Sequence, residues 1–188
     1  MRPAFAAAFA LLALLPAACN KKSADTKAPA GNAAAATPAS GPGVPGPGYK
    51  PNEADTARFL ADYEKLPGVT KTADGLLYRV IKAGNGKTPL KTDDQVTVLY
   101  KGQLIDGTVF DQTTPQNPND PDSGPRTFPA GALIPGWVEA LSKMKEGDQW
   151  EIVTPYALAY GEEGHPPTIP AKAALVFQMT LLKVELTP

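Results

Sequence analysis

Apolar residues in the first half of the chain recur at helical spacing before the pattern changes to that of strands. A mostly apolar stripe follows helical i, i+3, i+4 spacing, which is typical of a helix that buries one face. Its members are Thr56, Phe59, Leu60, Tyr63 and Leu66. Asn52 is a good N-cap before them, and Pro67, followed by Gly, ends the pattern. We therefore predict a short helical segment over residues 51–68.

From residue 75 onward, β-branched and aromatic runs alternate with turn residues, a pattern typical of strands. The predicted strands occupy residues 77–81, 95–100, 108–110, 149–153 and 173–186. Asp106-Gly107 signals a hairpin turn, and the polar stretch 112–125 predicts a surface loop. Pro135 at a helix N1 position predicts one helix that includes residues 137–141. The pattern therefore predicts an α+β fold, an antiparallel sheet wrapped around one short helix.

The first 18 residues have the pattern of a secretory signal peptide. Arg2 provides a positive charge, and the apolar run over residues 4–15 is too short to cross a bilayer as a mature helix. Ala17 and Ala18 supply the small residues that a signal peptidase requires. We therefore expect residues 1–18 to be a signal peptide and the chain to be secreted.

Cys19 is the only cysteine and directly follows those small residues, so an internal disulfide cannot form. Residues 14–19 resemble a bacterial lipobox, which implies that Cys19 is lipidated and becomes the mature N-terminus. Pro16 departs from that motif, which prefers Leu there, and the alternative is a free thiol in an exposed tail. After the cysteine, an inner-membrane retention signal has Asp, whereas this chain has Asn20. This difference favours attachment of the protein to the periplasmic face of the outer membrane.

Residues 19–50 are rich in Ala, Pro and Gly and nearly devoid of large aliphatic side chains. Such a segment cannot bury a core and is expected to be a disordered tether. The predicted organisation is thus a signal peptide, a tether that begins at Cys19, the helix at 51–68 and a folded domain over 75–187.

Charge and composition narrow the possible functions. The chain carries 18 Lys and Arg against 19 Asp and Glu, a formal net charge of −1, which gives no electrostatic basis for binding nucleic acid or an anionic membrane. Membrane attachment is therefore expected only through a lipid anchor. His165 is the single histidine, so no His-based metal cluster is expected, and no cofactor is predicted.

The remaining candidate chemistry is a set of aromatic residues at the ends of separate predicted elements. They are Tyr100, Phe110, Trp137, Tyr160 and Phe177. Aromatic residues most often form ordinary core, and that interpretation stays open here. Their distribution over several element ends, rather than along one helix face, favours a lined cavity.

Five segments place these aromatic residues in a recognisable order: 98–102, 107–111, 133–137, the Pro/Gly-rich stretch 156–170 and 173–177. In order and spacing they resemble the FKBP-type peptidyl-prolyl isomerases over roughly residues 75–187. The resemblance implies a half-barrel of about five strands around one helix. It also implies catalysis of rotation about Xaa-Pro peptide bonds, a reaction that an apolar pocket can promote without a nucleophile or a metal.

The resemblance assigns the central pocket roles. Trp137 matches the floor of the pocket, beneath the proline ring. Tyr100, Phe110 and Phe177 match the walls of the pocket. The hydroxyl of Tyr160 matches a group that hydrogen-bonds substrate carbonyls. For the carboxylate of Asp111, near the pocket, the resemblance leaves open an electrostatic role or one in orienting its neighbours.

Further positions match the rim of the pocket and the loop above it. Leu133 and Ile134 lie on the segment before the tryptophan, and the backbone N–H of Ile134 matches a group that hydrogen-bonds substrate carbonyls. Phe128 matches a neighbouring aromatic residue. His165 and Ile169 match the loop that overhangs the site. The chain departs from the family pattern at Arg126, where an apolar rim residue is usual, and on the overhanging loop, where Thr replaces an aliphatic residue.

The resemblance therefore implies an isomerase that assists the folding of proteins in the bacterial envelope. Its expected partners are unfolded or partly folded proteins that contain Xaa-Pro bonds, and its pocket is expected to accept macrolides of the tacrolimus and rapamycin type. The predicted helix is short, which favours a monomer. Two alternatives stay open: a non-catalytic chaperone or binding module with the same fold, and a structural lipoprotein whose pocket has no function.

Overall fold

A computed structural model describes residues 46–114 and 123–188. The helices are α1 (Glu53–Tyr63), α2 (Pro135–Leu141) and a 3-10 turn (Tyr156–Leu158). The strands are β1 (Val69–Lys71), β2 (Leu77–Lys82), β3 (Gln95–Leu104), β4 (Val109–Gln112), β5 (Arg126–Pro129), β6 (Gln149–Thr154) and β7 (Leu175–Glu185). The predicted signal peptide, Cys19 and nearly all of the tether lie outside the described residues, as does most of the predicted loop over 112–125.

The strands form one antiparallel sheet in the order β1-β2-β6-β7-β3-β4, with β5 pairing with β3. The predicted α+β class and the antiparallel sheet with one short helix against it are confirmed. The expected number of about five strands was too low, because the described sheet has seven. β1 and β5 were missed because alternation is weak over three or four residues, whereas β4, also of four residues, was predicted from the hairpin turn beside it.

Helix α2 packs on one face of the sheet, and the main core lies between the two. The helix begins at Pro135, as predicted, and buries Trp137, Ala140 and Leu141. Opposite it lie inward-facing side chains of the central strands, which include Val98 of β3 and Met179 of β7. This core holds the floor of the cavity described below.

Helix α1 packs against the other face of the sheet. Phe59 and Tyr63 of α1 form a second buried cluster with Leu77, Val153 and Val176 of the strands. Side chains alternate along a strand, so the residues next to these strand positions point to the opposite face, into the main core. The predicted N-cap is confirmed, since the Asn52 side chain accepts a hydrogen bond from the Asp55 backbone N–H. The helix is shorter than the predicted 51–68 segment, because the chain leaves helical geometry in turns after Tyr63.

The carboxylate of Asp94, in the turn before β3, is a buried hydrogen-bond acceptor. It is fully buried and accepts hydrogen bonds from the backbone N–H groups of Leu90, Lys91 and Thr187 and from the Thr187 hydroxyl. These bonds, above all that from Thr187, hold the pKa of Asp94 well below its usual range. Asp94 thereby joins the turn before β3 to the segment after β7.

Within the described ranges, no helix is long and apolar enough to cross a membrane.

Candidate active site

A cavity of about 280 Å³ opens between the sheet, helix α2 and the loop after the 3-10 turn. Its lining brings together most of the aromatic residues singled out from the sequence. The lining residues are Tyr100, Phe110, Asp111, Phe128, Ala132, Leu133, Ile134, Trp137, Tyr160 and Phe177. Nine of these ten are predicted site residues, and Ala132 is the addition.

Trp137 forms the inner wall of this cavity and is only 4% exposed. Its ring meets Tyr100 edge-on, with centroids 5.0 Å apart and planes at 80°, and meets Phe177 at 5.2 Å and 83°. Phe110 packs edge-on against Phe177 at 5.7 Å. Edge-to-face contacts of this kind fix the ring orientations, so the cavity is preformed.

Gly102 makes this packing possible, although sequence reasoning did not assign it to the site. A Cβ atom at this position would lie 2.7 Å from Phe110 Cζ and 2.9 Å from Phe177 Cε1. Such distances are shorter than real side-chain contacts, so only glycine lets both rings lie against strand β3. The sequence gives no local signal for this close approach, because the two rings belong to other strands.

Three polar groups lie at the rim of the cavity. The Tyr100 hydroxyl donates a hydrogen bond of 2.6 Å to Asp111 Oδ2. Burial, followed by this bond, raises the pKa of Tyr100, so the phenol stays protonated and holds the carboxylate in place. Tyr160 is 40% exposed, and its pKa is raised by burial and by the charge of Asp111. The rim therefore presents neutral phenols beside one exposed carboxylate.

Three predicted binding residues lie outside the cavity lining: Arg126, His165 and Ile169. Arg126 is exposed on β5, and its positive charge acts to lower the pKa of the Tyr100 phenol, against the larger effect of burial. The His165 ring lies against Tyr160, with centroids 5.6 Å apart. Ile169 is buried in the main core, where its backbone pairs with that of His165. The last two residues shape the loop that carries Tyr160 rather than the cavity surface.

No group of His, Cys, Asp or Glu within residues 46–114 and 123–188 is arranged to hold a metal ion. The lining itself offers an apolar, aromatic surface with hydrogen-bonding groups at its rim.

A family profile described as FKBP-type peptidyl-prolyl cis-trans isomerase matches residues 86–182, just over half of the chain. Peptidyl-prolyl cis-trans isomerase Mip of Coxiella burnetii is 43% identical over 134 residues, covering 71% of this chain and 55% of that protein. Outer membrane protein MIP of Legionella longbeachae is 40% identical over 134 residues, covering 71% and 54%. The chain thus spans about half the length of these curated relatives.

A solved structure shows the same fold. The crystal structure of a peptidyl-prolyl cis-trans isomerase from Pseudomonas syringae pv. tomato is similar with a TM-score of 0.63 and 35% sequence identity. The match covers 73% of this chain and 98% of that one. The profile match covers more than half of the chain and agrees with the relatives and the fold, so the chain belongs to the FKBP-type peptidyl-prolyl cis-trans isomerase family.

Proposed function

We propose that this chain catalyses cis–trans isomerisation of Xaa-Pro peptide bonds in unfolded or partly folded proteins. The observation that carries the proposal is the preformed aromatic cavity around Trp137, together with membership of the family. Rotation about a peptide bond loses amide resonance and meets a barrier of about 18–20 kcal/mol. The twisted amide is less polar than the planar one, so an apolar site favours it relative to water.

In this proposal, the lining residues have separate roles in binding the Xaa-Pro segment and in favouring the twisted amide. Trp137 lies under the proline ring, and Phe110 and Phe177 exclude water from its sides. The backbone N–H of Ile134 and the Tyr160 hydroxyl bind the carbonyl groups that flank the bond. Tyr100 keeps its proton and holds Asp111 at the rim, so that no side chain has to exchange a proton with the substrate. Each ~1.4 kcal/mol of differential stabilisation accelerates rotation about tenfold.

The test is the cis–trans exchange rate of a short Leu-Pro or Phe-Pro peptide with and without the purified chain. We expect clear acceleration over the uncatalysed reaction, which takes roughly tens to hundreds of seconds at about 25 °C. An unchanged rate in excess protein would exclude the enzyme. Suppressed aggregation of an unfolded protein in that same preparation would instead support the chaperone alternative.

Tyr160→Phe is expected to weaken peptide binding by about 0.5–1.5 kcal/mol, because one hydrogen bond is lost while the ring stays in the lining. The measurement is the Kd for an Xaa-Pro peptide, with thermal unfolding as a check on the fold. Tyr78→Phe is the matched control, since Tyr78 stacks on Trp150 and does not line the cavity. Equal affinity of parent and Tyr160→Phe would remove the hydroxyl from the binding scheme.

We propose that the protein acts in the bacterial envelope, attached to the periplasmic face of the outer membrane by lipid on Cys19. The similarity to an outer membrane protein of Legionella longbeachae supports the envelope location. The position of Cys19 directly after the predicted signal peptide supports the anchor.

Cys19→Ala is accordingly expected to release the protein from the membrane fraction, because the acyl chains on this residue are the proposed anchor. Membrane fractionation and the intact mass of the mature chain measure the change. Asn20→Ala keeps the cysteine and serves as the control. If the parent carries no lipid mass and fractionates like Cys19→Ala, the lipid anchor is wrong and Pro16 is the sequence feature that explains it.

Four expectations about ligands and assembly stay predictions. Tacrolimus-type macrolides are expected to compete with peptide for the cavity, and the chain is expected to be monomeric in solution. Arg126 on β5 is expected to influence which residues are preferred next to proline. His165 and Ile169 are expected to act on substrate through the loop that they shape.

A further inference from the structure

The loop over residues 156–172, here called the overhanging loop, begins with the 3-10 turn and leads to the segment before β7. It carries Tyr160 into the cavity lining, and the His165 ring lies against Tyr160. Two backbone hydrogen bonds of 2.9 Å join His165 and Ile169, so the end of the loop is closed on itself. The loop is attached to the rest of the protein by Ile169, which is buried in the main core, and by its base next to helix α1.

Helix α1 contacts that base. Lys172 Nζ lies 3.2 Å from Glu53 Oε2 in the first turn of the helix. Thr56 of α1 and Pro170 of the loop line the same narrow gap of about 10 Å³, which shows that the two segments pack side by side. Ala174, just beyond the loop, belongs to the same buried cluster as Phe59 of α1.

Lys172 also has an unusual backbone conformation. Its φ is +54°, in the left-handed region that non-glycine residues rarely adopt. Such a conformation persists where the surrounding contacts hold it. Glu53 is the main cause that raises the pKa of Lys172, and Glu162 and Tyr156 on the loop add to it. The ammonium group thus pairs with Glu53 of α1 and also feels the charges of the overhanging loop.

We propose that Lys172 is a positioning residue that couples helix α1 to the overhanging loop and so keeps Tyr160 over the cavity. Substrate affinity then depends on α1, although this helix precedes residues 86–182, to which the family profile is matched. The inference rests on the proposed isomerase function for its kinetic consequence. Its structural part, the order of the loop, can be measured without substrate.

The experiment compares Glu53→Gln, Lys172→Met and the double variant with the parent chain. Met keeps a long unbranched stem and the Cβ atom, so the backbone preference at position 172 changes little. The matched control is Glu64→Gln with Lys71→Met, which removes the ion pair between the end of α1 and β1, away from the loop. The readouts are amide hydrogen exchange over residues 156–172 and kcat and KM for an Xaa-Pro peptide.

We expect faster exchange in the loop and a KM about two- to fivefold higher at unchanged kcat for either single variant, the range of a partly exposed ion pair. The double variant should equal the single variants, because all three remove the same contact. In about 1 M salt, where the screening length is about 3 Å, the parent should approach the variants. The control pair should leave loop exchange and KM at parental values.

Parental exchange rates in the loops of Glu53→Gln and Lys172→Met would overturn the proposal. An equal rise of KM in the control pair would also overturn it, since the effect would then be general destabilisation. If the parent shows no isomerase activity, the proposed function fails, while the exchange comparison still decides whether α1 orders the loop.

Discussion

Replacing Glu151 by alanine is expected to lower the free energy of unfolding by about 3–5 kcal/mol, the cost of breaking a buried ion pair from one side. Glu151 lies on β6, is 1% exposed and faces helix α1. Its Oε1 atom accepts a hydrogen bond of 2.8 Å from Arg79 Nη2 and another from the Tyr63 hydroxyl. Alanine would leave the largely buried guanidinium without this carboxylate and the phenol without its acceptor.

Denaturant unfolding of parent and variant measures the loss, which is a large part of the roughly 5–15 kcal/mol that a domain possesses. Glu185→Ala is the matched control, because it removes the same side chain from an exposed pair with Lys183 on β7 and should have little effect. Tyr63→Phe should give an intermediate loss of about 1.5–3 kcal/mol, that of one hydrogen bond to a charged group. A Glu151→Ala loss no larger than that of the exposed control would contradict the proposed role of the network.

This network also shows why part of the structure could not be predicted from the sequence. Glu151 is separated from Arg79 by 72 positions and from Tyr63 by 88, and nothing local in either segment indicates that they meet. The hydrogen bonds of Asp94 could not be predicted for the same reason, since its partner Thr187 lies 93 positions away. Long-range polar contacts depend on the packing of the sheet, which local patterns do not specify.

Features determined by near neighbours were predictable. The Asn52 cap depends on Asp55 three residues later, and Pro135 at the start of α2 suits a position whose N–H has no partner within a helix. The aromatic lining was predictable because its members stand at element ends in the order of a known family. Gly102 was not, because its requirement comes from rings on β4 and β7.

Trp137→Ala is expected to have the largest effect on activity and a stability loss of about 3–5 kcal/mol. The indole is buried between Tyr100 and Phe177 and forms the inner wall of the cavity, so its removal destroys the surface beneath the proline ring. We expect kcat/KM to fall by at least about tenfold, since ~1.4 kcal/mol of lost transition-state stabilisation is enough for that. The measurement is peptide isomerisation at a temperature where unfolding curves show the variant to be folded.

Trp150→Ala separates the loss of the cavity wall from the loss of core packing. Trp150 is as deeply buried, at 5% exposed against 4% for Trp137, and belongs to the same core, but it stacks on Tyr78 and does not line the cavity. Its removal should cost comparable stability and leave kcat/KM of the folded protein near the parental value. Equal losses of activity in both alanine variants would mean that the cavity wall has no specific part in catalysis.

Trp137→Phe tests which property of the indole matters. The indole N–H is buried and has no hydrogen-bond partner among the residues that the structure describes, so phenylalanine removes no hydrogen bond. The smaller ring leaves a cavity that should cost about 1 kcal/mol, and it still offers an aromatic face between Tyr100 and Phe177. We therefore expect Trp137→Phe to retain most of the activity that Trp137→Ala loses. If both variants are equally inactive, the site requires the full extent of the indole rather than an apolar floor.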